Sequence, residues 1–183
     1  WGATFVTVKD ALAASDSFTF LALRFGVGAL AAALLSLWGQ QSPRLNLGRW
    51  WAVLQPGLIL GLLLFGGYAL QTVGLETTTP ARSAFITGLT VIFVPFVSWA
   101  LSRKRPPPRA FLAPLVAAVG LWRLTGVSLT VAPPLGDALT LGCAMLYAGH
   151  VALTSRLGGG LPVLPLTAVQ LAVVAVLSCA SLP

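Results

Sequence analysis

Long uncharged stretches alternate with short polar connections along the chain. The hydrophobic stretches cover residues 1–14, 17–38, 51–73, 81–101, 110–125, 137–154 and 164–182. A helix of about 20 apolar residues crosses the hydrocarbon of a bilayer, and a helix satisfies its own backbone hydrogen bonds there. The alternation typical of a barrel strand is absent. The pattern therefore predicts an all-α membrane protein, a multi-pass transmembrane helix bundle with about seven helices.

The ends of the chain differ from those of a secreted protein. The first stretch lacks the basic leader and the small-residue cleavage site of a signal peptide. The last stretch runs to the final residue without a polar tail. We therefore expect the chain to be a fragment of a longer membrane protein.

Composition excludes a water-soluble domain, because 57% of the residues are hydrophobic and only 8% are charged. The net charge of +7 follows a topological pattern, since basic residues accumulate on cytoplasmic loops. If the first span runs outward, the inner connections carry Arg44, Arg49, Arg103, Lys104, Arg105, Arg109 and Arg156. The four acidic residues then lie at or near the outer side: Asp10, Asp16, Glu76 and Asp137. This distribution predicts an orientation and argues against nucleic-acid binding.

Four basic residues lie outside the inner connections. The Lys9 ammonium is expected to reach the interface along its own stem, whereas Arg24 is deep enough to need an aspartate or a helix-end carbonyl as partner. Arg82 and Arg123 lie near outer helix ends, within reach of lipid headgroups. Together these cations predict an electropositive outer vestibule that favours anionic or zwitterionic solutes.

Polar side chains recur at helical spacing on three predicted spans, where residues three or four apart share a face. These sets are Tyr68 with Gln71; Ser83, Thr87 and Thr90 beside Phe85; and Cys143, Tyr147, His150 and Thr154. His150 has two open interpretations, a hydrogen-bonded packing role or a place on a solute pathway. With one histidine and two cysteines, no metal or catalytic set is predicted, and neither is a cofactor.

Four segments of the first two thirds of the chain carry a family resemblance: WGATFVTVKDAL at residues 1–12, LRF at 23–25, YALQTVGLETT at 68–78 and AFITGLTVIFVP at 84–95. They resemble the EamA-type domain of the drug/metabolite transporter superfamily. The segments GDALTL at 136–141 and AMLYAGHVALT at 144–154 resemble the start of a second repeat of the same kind.

The resemblance implies ten helices in two inverted five-helix repeats, with a solute site between them that opens alternately to each side. Residues 1–125 would form the first repeat with a clipped N-terminus, and 126–183 would begin the second. Site residues carried over by the resemblance are Thr4, Tyr68, Gln71, Phe85, Tyr147 and His150. Lys9 and Arg24 would be vestibule or structural charges. The implied protein exports small metabolites or drugs across a plasma or inner membrane, with a small-molecule substrate and the lipid bilayer as its partners.

Two other functions remain open from sequence. A membrane scaffold that transports nothing would have less need of polar faces, and a membrane-embedded enzyme would need a nucleophile or ligand set that the chain lacks. Substrate identity, coupling ion and oligomeric state are not determined by these patterns.

The predicted orientation can be tested with single cysteines. A cysteine at Lys104 should not react with an impermeant thiol reagent applied outside intact cells, whereas one at Ser128 should react, because the two loops lie on opposite sides. Labelling of both or of neither position in intact cells, against full labelling of both after permeabilisation, would contradict this orientation.

Overall fold

A computed structural model describes residues 2–13, 15–38, 47–103, 105–107, 109–126 and 135–182. Trp1, Arg44, Lys104 and residues 127–134 therefore lie outside the described residues. The helices are α1 (Gly2–Leu12), α2 (Ser17–Trp38), α3 (Leu47–Thr77), α4 (Pro80–Gly88), α5 (Thr90–Ser102), α6 (Arg109–Thr125), α7 (Leu135–Leu157) and α8 (Val163–Ala180).

The described part of the chain confirms the prediction of a multi-pass helical bundle. Five helical stretches are long and apolar enough to cross a membrane: Ser17–Trp38, Trp51–Thr77, Pro80–Ser102, Leu135–Leu157 and Val163–Ala180. A shorter apolar helix covers Ala110–Leu124. The α2 bounds match the predicted span, whereas α3 and α7 extend beyond theirs at both ends. The polar residues that follow the predicted third span belong to the last turn of α3, and those that precede the predicted sixth span belong to the first turn of α7.

The predicted fourth span divides into α4 and α5 at Leu89. The Leu89 amide donates to the carbonyl of Ile86 at 3.1 Å, three residues back instead of the four of an α-helix. The Thr90 hydroxyl donates to the Thr87 carbonyl at 2.6 Å, which satisfies a backbone acceptor at the same step. Further along, Pro95 supplies no N–H to the α5 ladder. This single predicted span therefore contains a local change of helical pitch.

The chain forms two compact units. The first contains residues 1–15 and 66–152. Within this unit the end of α3 approaches the start of α7, because a side chain at Gly74 would lie 2.8 Å from the carbonyl oxygen of Gly136. Only glycine allows two backbones to come this close. This contact brings together the polar residues at the ends of both helices.

The second unit contains residues 16–65 and 153–183 and packs α8 against glycines of α3. Val169 and Val173 fill the space above Gly57 and Gly61, four residues apart on one face of α3. Val53, Leu60 and Leu166 form a buried apolar cluster beside them. Branched side chains of α8 thus pack on small residues of α3, as is common where helices associate in membranes.

The outward surface of α2 is strongly apolar. Exposed side chains follow helical spacing at Leu23, Val27, Leu30 and Leu34. Such a face would be unstable in water but needs no partner in hydrocarbon. This apolar face is therefore compatible with a position inside a membrane.

The packing of α3 against α8 can be tested at Gly61. In a Gly61→Ala variant the new Cβ would lie 2.7 Å from the Val173 Cβ and 3.0 Å from its Cγ1. Because valine is stiff in a helix, the helices must separate, and we expect a loss of about 1–3 kcal/mol in the free energy of unfolding. The matched control is Gly26→Ala, where no atom lies within 4 Å of the added carbon. Equal thermal melting of the two variants in detergent would contradict the packing.

Candidate functional site

A buried carboxylate joins three segments at one end of the first unit. Asp137 lies in the first turn of α7 and is 4% exposed. It accepts a hydrogen bond from Arg82 Nε of α4 at 2.8 Å and pairs with the same guanidinium through Nη2. The hydroxyl of Thr78, in the turn between α3 and α4, donates to its other oxygen. We call Arg82, Asp137 and Thr78 the clasp.

A second cation stabilises the end of α3 beside the clasp. Lys9 of α1 donates its ammonium to the carbonyls of Leu75 and Thr78, each at 2.6 Å. The last carbonyls of a helix have no partner within it and carry partial negative charge. Lys9 thus supplies both the hydrogen bonds and the charge that the α3 terminus needs, which explains why α3 continues past its predicted end.

These contacts bring the end of α1, the end of α3, the start of α4 and the start of α7 together at one end of the first unit. The alternation predicted from loop charges places the same helix ends on one side of the membrane. The contacts also change the predicted vestibule, since the cations of Lys9 and Arg82 are bound to protein oxygens. Lys9 bonds to backbone carbonyls instead of extending freely to the interface, and Arg82 pairs with Asp137, which the sequence analysis did not predict.

An uncharged polar cluster lies deeper in the same unit. The Gln71 amide of α3 donates to the Thr87 hydroxyl of α4 at 3.0 Å, and Gln71 is 8% exposed. The rings of Tyr68 and Tyr147 meet edge to face with their centroids 5.4 Å apart. The Cys143 thiol lies beside Thr87 and Tyr147. We call Tyr68, Gln71, Thr87, Cys143 and Tyr147 the polar cluster.

The Tyr147 ring packs directly on the α3 backbone. Any Cβ at Gly67 would collide with the ring, so glycine is required there. Tyr147 is 8% exposed, and its hydroxyl makes no hydrogen bond of standard geometry to any residue that the structure describes. A buried hydroxyl without a partner costs about 1–3 kcal/mol. The polar neighbours of this hydroxyl in the cluster are the Cys143 thiol and the Tyr68 hydroxyl.

The remaining residues predicted from sequence have different environments. Thr4 is exposed on α1, while Phe85 and His150 are half-buried on α4 and α7. Arg24 belongs to the second unit, where its exposed guanidinium lies 5.4 Å from the Phe25 ring centroid and 6.0 Å from that of Phe20. Of the predicted site residues, Tyr68 and Tyr147 are therefore in ring contact, and Gln71 is connected to them by its hydrogen bond to Thr87.

The clasp was the main feature that sequence reasoning missed. Asp137 and Arg82 are 55 residues apart, and each was interpreted as a residue near a helix end. One signal was available, because both lie at predicted outer ends and carry opposite charge at membrane depth, where charges pair. Within the described residues, no group of three or more histidine, cysteine or acidic side chains is placed to bind a metal.

Comparison with known proteins gives two matches. The family described as the EamA-like transporter family matches residues 1–126. The chain is 32% identical over 157 residues to a protein of Archaeoglobus fulgidus named an uncharacterized transporter, covering 85% of this chain and 46% of that protein. The chain therefore spans about half the length of the curated relative. No solved structure matches it.

The hydrogen bond between Gln71 and Thr87 can be measured by a double-mutant cycle. Gln71→Leu and Thr87→Val should each destabilise the protein, because each leaves a buried polar partner unsatisfied. The double variant should lose less than the sum, with a coupling free energy of about 1 kcal/mol from unfolding in mixed micelles. Additivity of the two single losses would show that the bond does not form.

Proposed function

Because this chain belongs to the EamA-like transporter family, we propose that it forms part of a protein that carries small metabolites or drugs across a membrane. The similarity to a protein named a transporter supports the same proposal. A plasma or inner membrane is the proposed location, and export is the proposed direction.

The observation that carries the proposal is the polar cluster in the first unit. Its amide, hydroxyl and phenol groups lie on α3, α4 and α7, and they include the Tyr147 hydroxyl, which makes no hydrogen bond of standard geometry to a described residue. Buried polar groups in a membrane are costly, and they usually face the interior of a helix bundle or a water-filled cavity. Since the cluster carries no formal charge, it favours solutes that present hydroxyl, amide or amine groups.

The proposed mechanism is alternating access between two inverted five-helix repeats. In this scheme residues 1–125 belong to the first repeat and residues 126–183 begin the second. Two features support it: the predicted alternation of loop charge, and the position of α7 beside α3 and α4 at the clasp. Site residues for this scheme are Thr4, Tyr68, Gln71, Phe85, Tyr147 and His150, to which the hydrogen bond adds Thr87.

Two alternatives predict different behaviour. A membrane scaffold would move no solute, and its buried polar groups would serve packing alone. A membrane-embedded enzyme would convert its substrate, whereas the family assignment points to a transporter instead. Nucleic acid is not a proposed partner.

The test measures uptake and efflux of labelled amino acids, nucleosides, amines and drugs in cells that express the natural full-length protein. Gln71→Ala and His150→Ala should lower transport of any active solute at least about tenfold at equal membrane abundance, because each removes a group from the proposed site. The matched control is Gln170→Ala, which removes a similarly buried glutamine on α8. Its transport should stay near that of the natural protein.

Three results would oppose the proposal. Absence of movement for every solute would favour a scaffold, and chemical conversion of a solute would favour an enzyme. Equal transport by the Gln71, His150 and Gln170 variants would show that the polar cluster is not the solute site.

A further inference from the structure

The clasp connects helices of the two proposed repeats. Arg82 and Thr78 belong to the segment 1–125, and Asp137 belongs to the segment 126–183. Both partners lie in the first compact unit, so the ion pair breaks if the motion of the repeats during transport separates α4 from the start of α7. The inference rests in this respect on the proposed function.

An ion pair with a buried carboxylate favours two discrete arrangements. Asp137 is almost completely buried, whereas the Arg82 side chain is 19% exposed, and the Asp137 oxygens receive the Arg82 guanidinium and the Thr78 hydroxyl together. Partial separation would leave a desolvated charge without its partner, which is costly. The stable alternatives are therefore the closed pair and a fully opened one in which water reaches both charges.

Polar groups continue from the clasp to the polar cluster. At 1.5 Å per residue, Thr87 lies about 8 Å along α4 from Arg82. Between them is Ser83, whose side chain is fully buried and whose hydroxyl makes no hydrogen bond to any residue in the described ranges. On α7, Thr140 is also fully buried one turn after Asp137 and precedes Cys143 by three residues.

Three buried hydroxyls of the described residues make no standard hydrogen bond, those of Ser83, Tyr147 and Ser178, and of these Ser83 directly follows Arg82 of the ion pair. A hydroxyl that only filled space would be unfavourable compared with a methyl group, because its desolvation is not offset. Its position suits a surface that becomes wet when the adjacent ion pair opens. Ser83 and Tyr147 then both gain partners in the open state.

We propose that the Arg82–Asp137 pair is a gate that closes a polar pathway leading past Ser83 and Thr140 to the polar cluster. In the state described here the gate is shut, and the cluster is sealed from the side at which α3 ends and α4 begins. Opening separates α4 from the start of α7 and exposes the cluster to that side.

The native Cys143 provides the test, because it is buried in the polar cluster. In the natural full-length protein with Cys143 as its sole cysteine, a charged, impermeant thiol reagent is applied separately to each side of the membrane. Ala81→Cys, an exposed position beside the gate, identifies the side to which the gate faces. Cys143 should react slowly from either side.

Arg82→Gln should raise the rate of Cys143 modification from the gate side at least about tenfold, because it shifts the population toward the open state. The charge exchange of Arg82→Asp with Asp137→Arg should return the rate toward that of the natural protein. Arg123→Gln is the matched control, since it removes another cation of the same unit without touching the clasp. It should leave the rate unchanged.

The thermal melting temperature of each variant separates gating from a structural staple. A staple predicts that Arg82→Gln lowers the melting temperature with no side-specific rise in Cys143 modification, and that result would overturn the gate. An equal rise from both sides would indicate general loosening and would also overturn it. Transport is assayed in parallel. If the natural protein moves solute and Arg82→Gln leaves the rate of Cys143 modification unchanged, the gate alone is refuted. If neither the natural protein nor any variant moves solute, the proposed function is refuted.

Discussion

The absence of water inside a bilayer is the constraint on which this structure depends. Every polar group at membrane depth must find its partner in the protein. Helices meet this requirement for most of the backbone, and Lys9 meets it for the terminal carbonyls of α3. The same requirement buries Asp137 with Arg82 and Thr78 around it. Among the described residues it is not met by a standard hydrogen bond at three buried hydroxyls, those of Ser83, Tyr147 and Ser178.

Charged side chains and uncharged polar side chains lie at different positions along the helices of the first unit. Charged side chains gather where α1 and α3 end and where α4 and α7 begin, while amides, phenols and hydroxyls lie further along the same helices. This order is suited to a carrier, because ion pairs form discrete contacts that open and close. Weaker hydrogen bonds allow a solute to bind and leave. In the second unit, the contact of α8 with α3 is apolar, with Val169 and Val173 packed on glycines of α3.

Hydrophobic segment length predicted the helical class and the bounds of α2, because about 20 apolar residues leave few alternatives in lipid. Helical spacing also placed Tyr68 beside Gln71 and predicted the α4 face that contains Thr87. It could not predict which faces meet, since the Gln71–Thr87 and Tyr68–Tyr147 contacts depend on tertiary packing. The clasp was missed for the same reason: charge at a helix end was assigned to the membrane interface, although Arg82 had a buried carboxylate within reach.

The most direct test of the central claim, that the polar cluster is the solute site, is protection of Cys143 by a transported solute. Cys143 lies beside Tyr147 and Thr87, so an occupied site should shield its thiol from a small permeant reagent. The account predicts that modification slows as solute concentration rises, with half-protection near the concentration that half-saturates transport. A modification rate unchanged at saturating solute would place the solute elsewhere and contradict the account.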